Sequence, residues 1–283
     1  MRAIKFCKFS GGIVTNIKQI LVLVMAVTAT SVAEAATDIP LQNLDKKDFE
    51  SIVSDFSANF THTSVSGASA LGKMFGIEVG VLVGATNSPN IDRLAKEVNP
   101  SIKVDQLPNA ALLGSVSIPF GLTAEVSLTP KIGGDEFKYS HLSTGVKWTL
   151  TDSLFTLPLS VALKGHVAKS LIEFRQNISS VDTHFKYDSM VSGATLMLSK
   201  DLFIFEPYLG VGVVQSEGKM DVSGSSSVFN DPALQAAQSA KAKKSGSLFV
   251  VGAEMKLLVF KLGAEYTKLF DTGRATAKAT FYF

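Results

Sequence analysis

The residues best suited to move protons are four histidines, His62, His141, His166 and His184. An imidazole near its ordinary pKa serves as acid or base at neutral pH. It does so as part of a set, with a carboxylate or hydroxyl held beside it. Asp135, Asp182 and Asp188 lie near His141 and His184 in sequence, but no spacing among these residues forms a catalytic motif. There is no glycine-rich phosphate loop and no cluster with metal-ligand spacing. No catalytic residue, metal or cofactor is therefore expected.

A larger set of charged residues has a regular context. Glu78, Glu125, Glu206, Glu254 and Glu265, with Lys147, Lys164, Lys256, Arg274, Lys278 and His166, each stand on the polar side of a stretch that alternates with apolar residues. Five acids against five bases on one face point to charges that satisfy each other away from water. Two uses follow: a salt-bridged filling, or the lining of a narrow polar pore with weak ion selectivity.

The elements that position these charges have a period of two. Phe75, Ile77, Val79, Val81 and Val83 alternate with Gly76, Glu78, Gly80, Leu82 and Gly84. The same pattern recurs over residues 109–118, 122–129, 142–150, 157–167, 184–199, 203–213, 249–257, 262–267 and 273–283. In 184–199 Met190, Ala194, Leu196 and Leu198 are expected outward and Gly193 and Thr195 inward, and Pro207 is unwelcome inside a ladder. Connections are expected to be long at 87–107, within which Asn90 to Asn99 reads as helical, and at 218–244. In the latter, Asp231-Pro232 opens a short helix ending in Lys241, Lys243 and Lys244. Residues 173–183 read as a polar loop.

Before the strands, Phe49, Ile52, Val53 and Phe56 recur at helical spacing, with Asp45 placed to cap the helix. Residues 58–72 are rich in Ser, Thr, Gly and Ala. The chain begins with Arg2, Lys5, Lys8 and Lys18, a short apolar run from Ile20 to Val27, and Ala33-Glu34-Ala35. That is the grammar of a secretory signal, and the run is too short to span a bilayer. The formal charge of +2 rests on this segment, and the remainder is slightly acidic. Nothing in it calls for a nucleic-acid partner. Cys7, the single cysteine, lies in the same segment, so no thiol chemistry is expected after cleavage.

The last stretch runs Gly-Arg-Ala-Thr-Ala-Lys-Ala-Thr-Phe-Tyr-Phe from Gly273 to Phe283. Ala275, Ala277, Ala279, Phe281 and Phe283 share one face. This resembles the closing strand of bacterial outer-membrane β-barrels, whose last residue is typically Phe. The resemblance implies an all-β, antiparallel transmembrane barrel in the outer membrane. It implies lipid and lipopolysaccharide as surroundings, and recognition of Phe281 and Phe283 by the barrel-assembly machinery. Backbone groups in lipid must all be paired, so the sheet must close. Ten strands, with twelve as the alternative, give short and longer loops in the expected alternation. Residues 1–35 are then the signal, 36–72 a periplasmic or plugging segment, and 73–283 the barrel. Two aromatic girdles are expected. Phe120, Trp148, Phe155, Phe203, Phe260, Phe281 and Phe283 mark the periplasmic rim. Phe137, Tyr139, Phe174, Phe185, Tyr187 and Phe270 mark the outer one. Enzymes of this kind, proteases and lipid-A hydrolases, use Asp/His or Ser/His sets near the outer rim, and no such set is recognisable here. The function expected is a narrow passive channel for small solutes. The alternative is a structural surface barrel with a filled, salt-bridged lumen.

Overall fold

The structure is a computed structural model that describes residues 44–72, 75–153, 157–178, 180–224, 228–230 and 232–283. Residues 1–43, with the segment read as an export signal, and Phe155 and Asp231 lie outside the described residues.

Ten antiparallel strands close into a barrel, each pairing with its sequence neighbour, and β1 with β10. They are β1 (Gly76–Asn87), β2 (Gln106–Ile118), β3 (Leu122–Gly133), β4 (Phe137–Thr149), β5 (Ser160–Ile178), β6 (Val181–Ser199), β7 (Phe205–Ser223), β8 (Ser239–Leu257), β9 (Phe260–Leu269) and β10 (Thr272–Tyr282). The twelve-strand alternative is not seen. The seam between first and last strands runs in register from Glu78↔Tyr282 to Thr86↔Arg274. Ile77 N donates to Phe283 O at 2.9 Å and Phe283 N to Ile77 O at 2.8 Å, so pairing continues to the last residue.

The alternation turns one side of every strand outward. Val79, Leu128, Val146, Leu163, Leu196, Val211, Val251 and Leu262 are exposed, whereas Glu78, Glu125, Lys147, Lys164 and Glu206 are buried. Among the described residues, no helix is long and apolar enough to cross a membrane. The strands make the crossing, for which about 9–11 tilted residues suffice. β5, β6, β7 and β8 each have 19 residues and project beyond the band at the outer end.

That projection corrects three expectations. Residues 173–183 are not a polar loop but the paired ends of β5 and β6, down to Ile178↔Val181. The insertion at 218–244 shrinks because β7 runs to Ser223 and β8 starts at Ser239. Lys241, Lys243 and Lys244 accordingly lie on β8, beyond the short helix Pro232–Ala237. The outer girdle is also corrected. Phe137, Tyr139, Phe174, Phe185 and Tyr187 are buried inside the barrel. Each keeps the inward parity of its strand, as Tyr139 does with Ser143 and Lys147 on β4. At the opposite rim Phe120, Phe203 and Phe283 are largely exposed, with Phe281 against Phe260 at 4.5 Å between ring centroids.

Three helical elements matter inside and above the wall. α1 (Lys46–Phe60) enters the lumen from the outer end. Asp45 caps it by accepting from Asp48 N at 2.7 Å. α2 (Pro89–Val98) lies in the β1–β2 connection and packs on α1. The helix at Pro232–Ala237, α3, sits in the β7–β8 connection. The main apolar core is therefore inside the outer half of the barrel. Phe49, Ile52, Val53 and Phe60 of α1 meet Ile172, Phe174, Phe185, Tyr187, Met220 and Val222 of the wall.

Candidate functional site: the filled lumen

After α1 the chain descends through the barrel as an extended strap, residues 61–72, toward the end that carries the C-terminus. Its small residues are required by the space. A Cβ on Gly67 would fall 2.1 Å from Glu206 Oε1, and one on wall residue Gly145 would fall 2.8 Å from His62 Nε2. Val65 adopts φ 49°, a left-handed conformation that a β-branched residue takes only under strong constraint. It is fully buried against Leu82 and Leu113.

Helix ends supply the fixings of the outer half. Asp55 of α1 caps α2 from outside, because Ser88 makes no side-chain cap bond. Its carboxylate accepts from Asn90 N and Ile91 N, each at 2.9 Å, and from Asn90 Nδ2 at 2.8 Å. Burial holds the Asp55 carboxyl above the usual carboxylate range despite those bonds. At the other end of α1, Arg274 donates to the carbonyls of Ala58, Asn59 and Thr61 at 3.2, 3.3 and 2.5 Å. These are the orphan acceptors of the helix C-terminus, where a cation is favoured.

Lower down, the strap meets the charged wall. Glu125 accepts from Lys164 Nζ at 2.7 Å and Ser64 Oγ at 2.9 Å. Glu206 pairs with Lys256 at 3.0 Å and accepts from Ser199 Oγ at 2.6 Å and Ser69 Oγ at 2.5 Å. Lys256 also reaches Asp201 at 2.8 Å. Glu265 accepts from Thr63 at 2.6 Å, Tyr208 at 3.0 Å and Thr267 at 3.1 Å. Lys147 donates to Gly67 O at 2.7 Å and Ser69 O at 2.9 Å. Near the C-terminal end, Lys278 pairs with Glu78 at 2.7 Å and with Glu254. Lys261 joins them at 3.3 Å from Glu78 and 3.1 Å from Glu254. Sequence reading missed Lys261, although its parity opposite Leu262 marks it as inward.

The histidines separate. His184 sits on the projecting part of β6, and His141 turns inward to place Nδ1 2.8 Å from Ser170 Oγ. His166 is buried with Nε2 lacking a hydrogen-bond partner, its ring 6.1 Å from that of His62. His62 is the one held in a set. Nδ1 is 2.7 Å from Ser143 Oγ and Nε2 is 3.0 Å from Glu125 Oε2. Burial pushes the His62 imidazole below its ordinary pKa. Hydroxyl, imidazole and carboxylate are in the order of a nucleophile, its base and an orienting acid. The side chains of His62 and Glu125 are 0% and 1% exposed, however, so a substrate carbonyl has no access to them. This set joins strap to wall, and sequence could not show it because its members lie on three distant segments.

Among the described residues, three lumen cavities have volumes of about 10, 20 and 30 Å³. Each is on the scale of a single water. Among the described residues, no group of three or more His, Cys, Asp or Glu side chains is placed to hold a metal ion. The structure thus has a closed sheet, an apolar exterior band and a packed interior, apolar in the outer half and polar in the inner. That is the architecture of an outer-membrane β-barrel, and the protein is one.

Three solved structures have loosely similar shapes. The attachment invasion locus protein Ail of Yersinia pestis shares 14% identity over 74% of this chain and 97% of its own, with a TM-score of 0.31. The translocator domain of autotransporter NalP from Neisseria meningitidis shares 9% over 76% and 90%, with a TM-score of 0.43. Neisserial surface protein A shares 13% over 74% and 95%, with a TM-score of 0.30. No curated protein matches the sequence. A family model described as "Family of unknown function (DUF6588)" matches residues 23–277, and the chain belongs to that family.

Proposed function

We propose that the protein is a normally shut outer-membrane barrel: a narrow path for small solutes that α1 and the strap, residues 46–72, close at rest. In this reading residues 1–35 are an export signal removed on secretion, and 73–283 form the wall. The supporting observation is the filled lumen, in which α1 and the strap pack against the wall and leave cavities of about 10, 20 and 30 Å³ beside them. A resting channel needs a continuous aqueous path, and α1 with the strap occupies that path. The strap's bonds to the charged wall are of the kind that water can replace, which makes displacement chemically reasonable. In planar bilayers the purified barrel is expected to be silent at neutral pH. Stepwise conductance of the untreated protein would sink the proposal.

The apolar seating of α1 favours a second reading, a permanently filled surface barrel with no transport role. Adding urea on the outer side separates the two, since conductance then appears only if the plug can leave. No enzymatic role is proposed: the Ser143–His62–Glu125 set serves as a latch. Phe281 and Phe283 would act as the signal read by the assembly machinery. Deleting Phe283 also removes the last pair of seam hydrogen bonds, those with Ile77. Outer-membrane levels are expected to drop several-fold on that deletion, as read by heat-modifiable gel migration of membrane fractions.

A further inference from the structure

We propose that the lumen, when its plug shifts, selects small anions, and that Lys147 and Arg274 are the residues that select them. This rests on the reading of α1 and the strap, residues 46–72, as the seal. The argument comes from what each charge keeps when the plug leaves. Lys164 keeps Glu125, Lys256 keeps Glu206, and Lys261 and Lys278 keep Glu78 and Glu254, because all these partners stand on the wall. Lys147 and Arg274 differ. Lys147 bonds Ser66, Gly67 and Ser69, and Arg274 bonds Ala58, Asn59 and Thr61. Among the described residues the hydrogen bonds of these two cations go to the plug, and neither has a carboxylate within salt-bridge distance.

Withdrawing the plug therefore bares two positive charges. Against them stands Glu265, the one wall carboxylate of this set without a cation. It keeps the wall hydroxyls of Tyr208 and Thr267 and loses only Thr63. Arg274 lies near the outer start of β10 and Lys147 near the opposite end of β4. An anion would meet one bare cation toward each end of the path. In water both groups are charged at neutral pH. Fixed charges in a narrow, low-dielectric passage concentrate the opposite ion. The ligand class is a small inorganic or carboxylate anion.

The test uses the full-length barrel in a planar bilayer under a potassium chloride gradient, with urea to unseat the plug. Gel migration confirms that the barrel itself stays folded. The reversal potential is expected to favour chloride over potassium several-fold. In the double variant Lys147→Gln/Arg274→Gln the pore is expected to open with that preference lost, and Glu125→Gln/Lys164→Gln, which removes one charge of each sign from a wall pair, is expected to keep it. A cation-favouring or indifferent wild-type pore overturns the proposal. So does an anion preference that survives in the double variant, or a barrel that never opens in urea. Steps without urea would instead overturn the resting seal, and the same reversal potential would still judge selectivity.

Discussion

The two halves of the lumen hold the same polypeptide by opposite means. In the outer half α1 presents Phe49, Ile52, Val53 and Phe60 to the aromatic and aliphatic wall. Phe49 lies edge-on to Tyr187 at 6.4 Å, and Phe60 stacks on Tyr139 at 5.9 Å. In the inner half the strap presents hydroxyls, carbonyls and His62 to ionised side chains. Burying one large apolar side chain is worth about 1.5–3 kcal/mol. An intramolecular hydrogen bond that exchanges with water is worth only about 0.5–1.5 kcal/mol net. The grip of the plug thus belongs to the outer half. The inner half fixes where the strap lies, because charges buried without partners are costly to the wrong arrangement.

If that division holds, Phe49→Ala should have the largest effect on the seat. Truncating a buried Phe is expected to remove about 3–5 kcal/mol. Hydrogen exchange of the α1 amides reports it directly, and unchanged protection would mean that the apolar face is not the anchor. Asp55→Ala tests the polar exception in the same half. It deprives the first turn of α2 of its cap and should cost about 1–2 kcal/mol. The loss should appear as faster exchange at Asn90 and Ile91, with α1 itself little changed. Equal loosening of both helices would instead make Asp55 part of the anchor.

The difference between the halves also explains what was legible beforehand. Alternation places Glu125, Lys164 and Val146 on their correct sides because a strand facing lipid on one side has no tolerance for a one-residue slip. The period of α1 is equally plain, and its cap is a local Asp45–Asp48 contact. Phe174, Phe185 and Tyr187 were misassigned because aromatics near a strand end suit an interfacial girdle as well as an inner core. Only the lengths of β5 and β6 decide between the two. The strap gives no periodic signal at all. Its Ser, Thr, Gly and Ala content reads as a loop, whereas its cause is crowding, as Gly67 beside Glu206 shows. The His62–Glu125–Ser143 set is invisible for a related reason: the contact separations are 63 and 81 residues, and no local rule spans them.

Acid offers the finest test of the division, because the two halves should answer with opposite signs. The His62 imidazole is held below its ordinary value of 6.5, chiefly by burial. The docked strap therefore binds a proton less readily than the withdrawn one. Docking is at full strength well above pH 6.5 and weakens as pH falls through and below that value. The groups facing His62 make the sign firm. Glu125 would welcome a second positive charge, but Lys164 already neutralises it and Arg274 adds repulsion. Asp55 is raised from 3.8, so protonation there favours the docked helix, and α1 should keep its place as the solution becomes acid. NMR of the barrel in lipid nanodiscs between pH 7.5 and pH 5.5 should show amide signals of residues 62–69 shifting or broadening. Those of residues 49–56 should stay, and His62→Gln should abolish the response of the strap. A strap indifferent to this pH range would show that the inner half is gripped by something stronger than exchangeable polar bonds. Loosening of α1 first would move the anchor out of the apolar half.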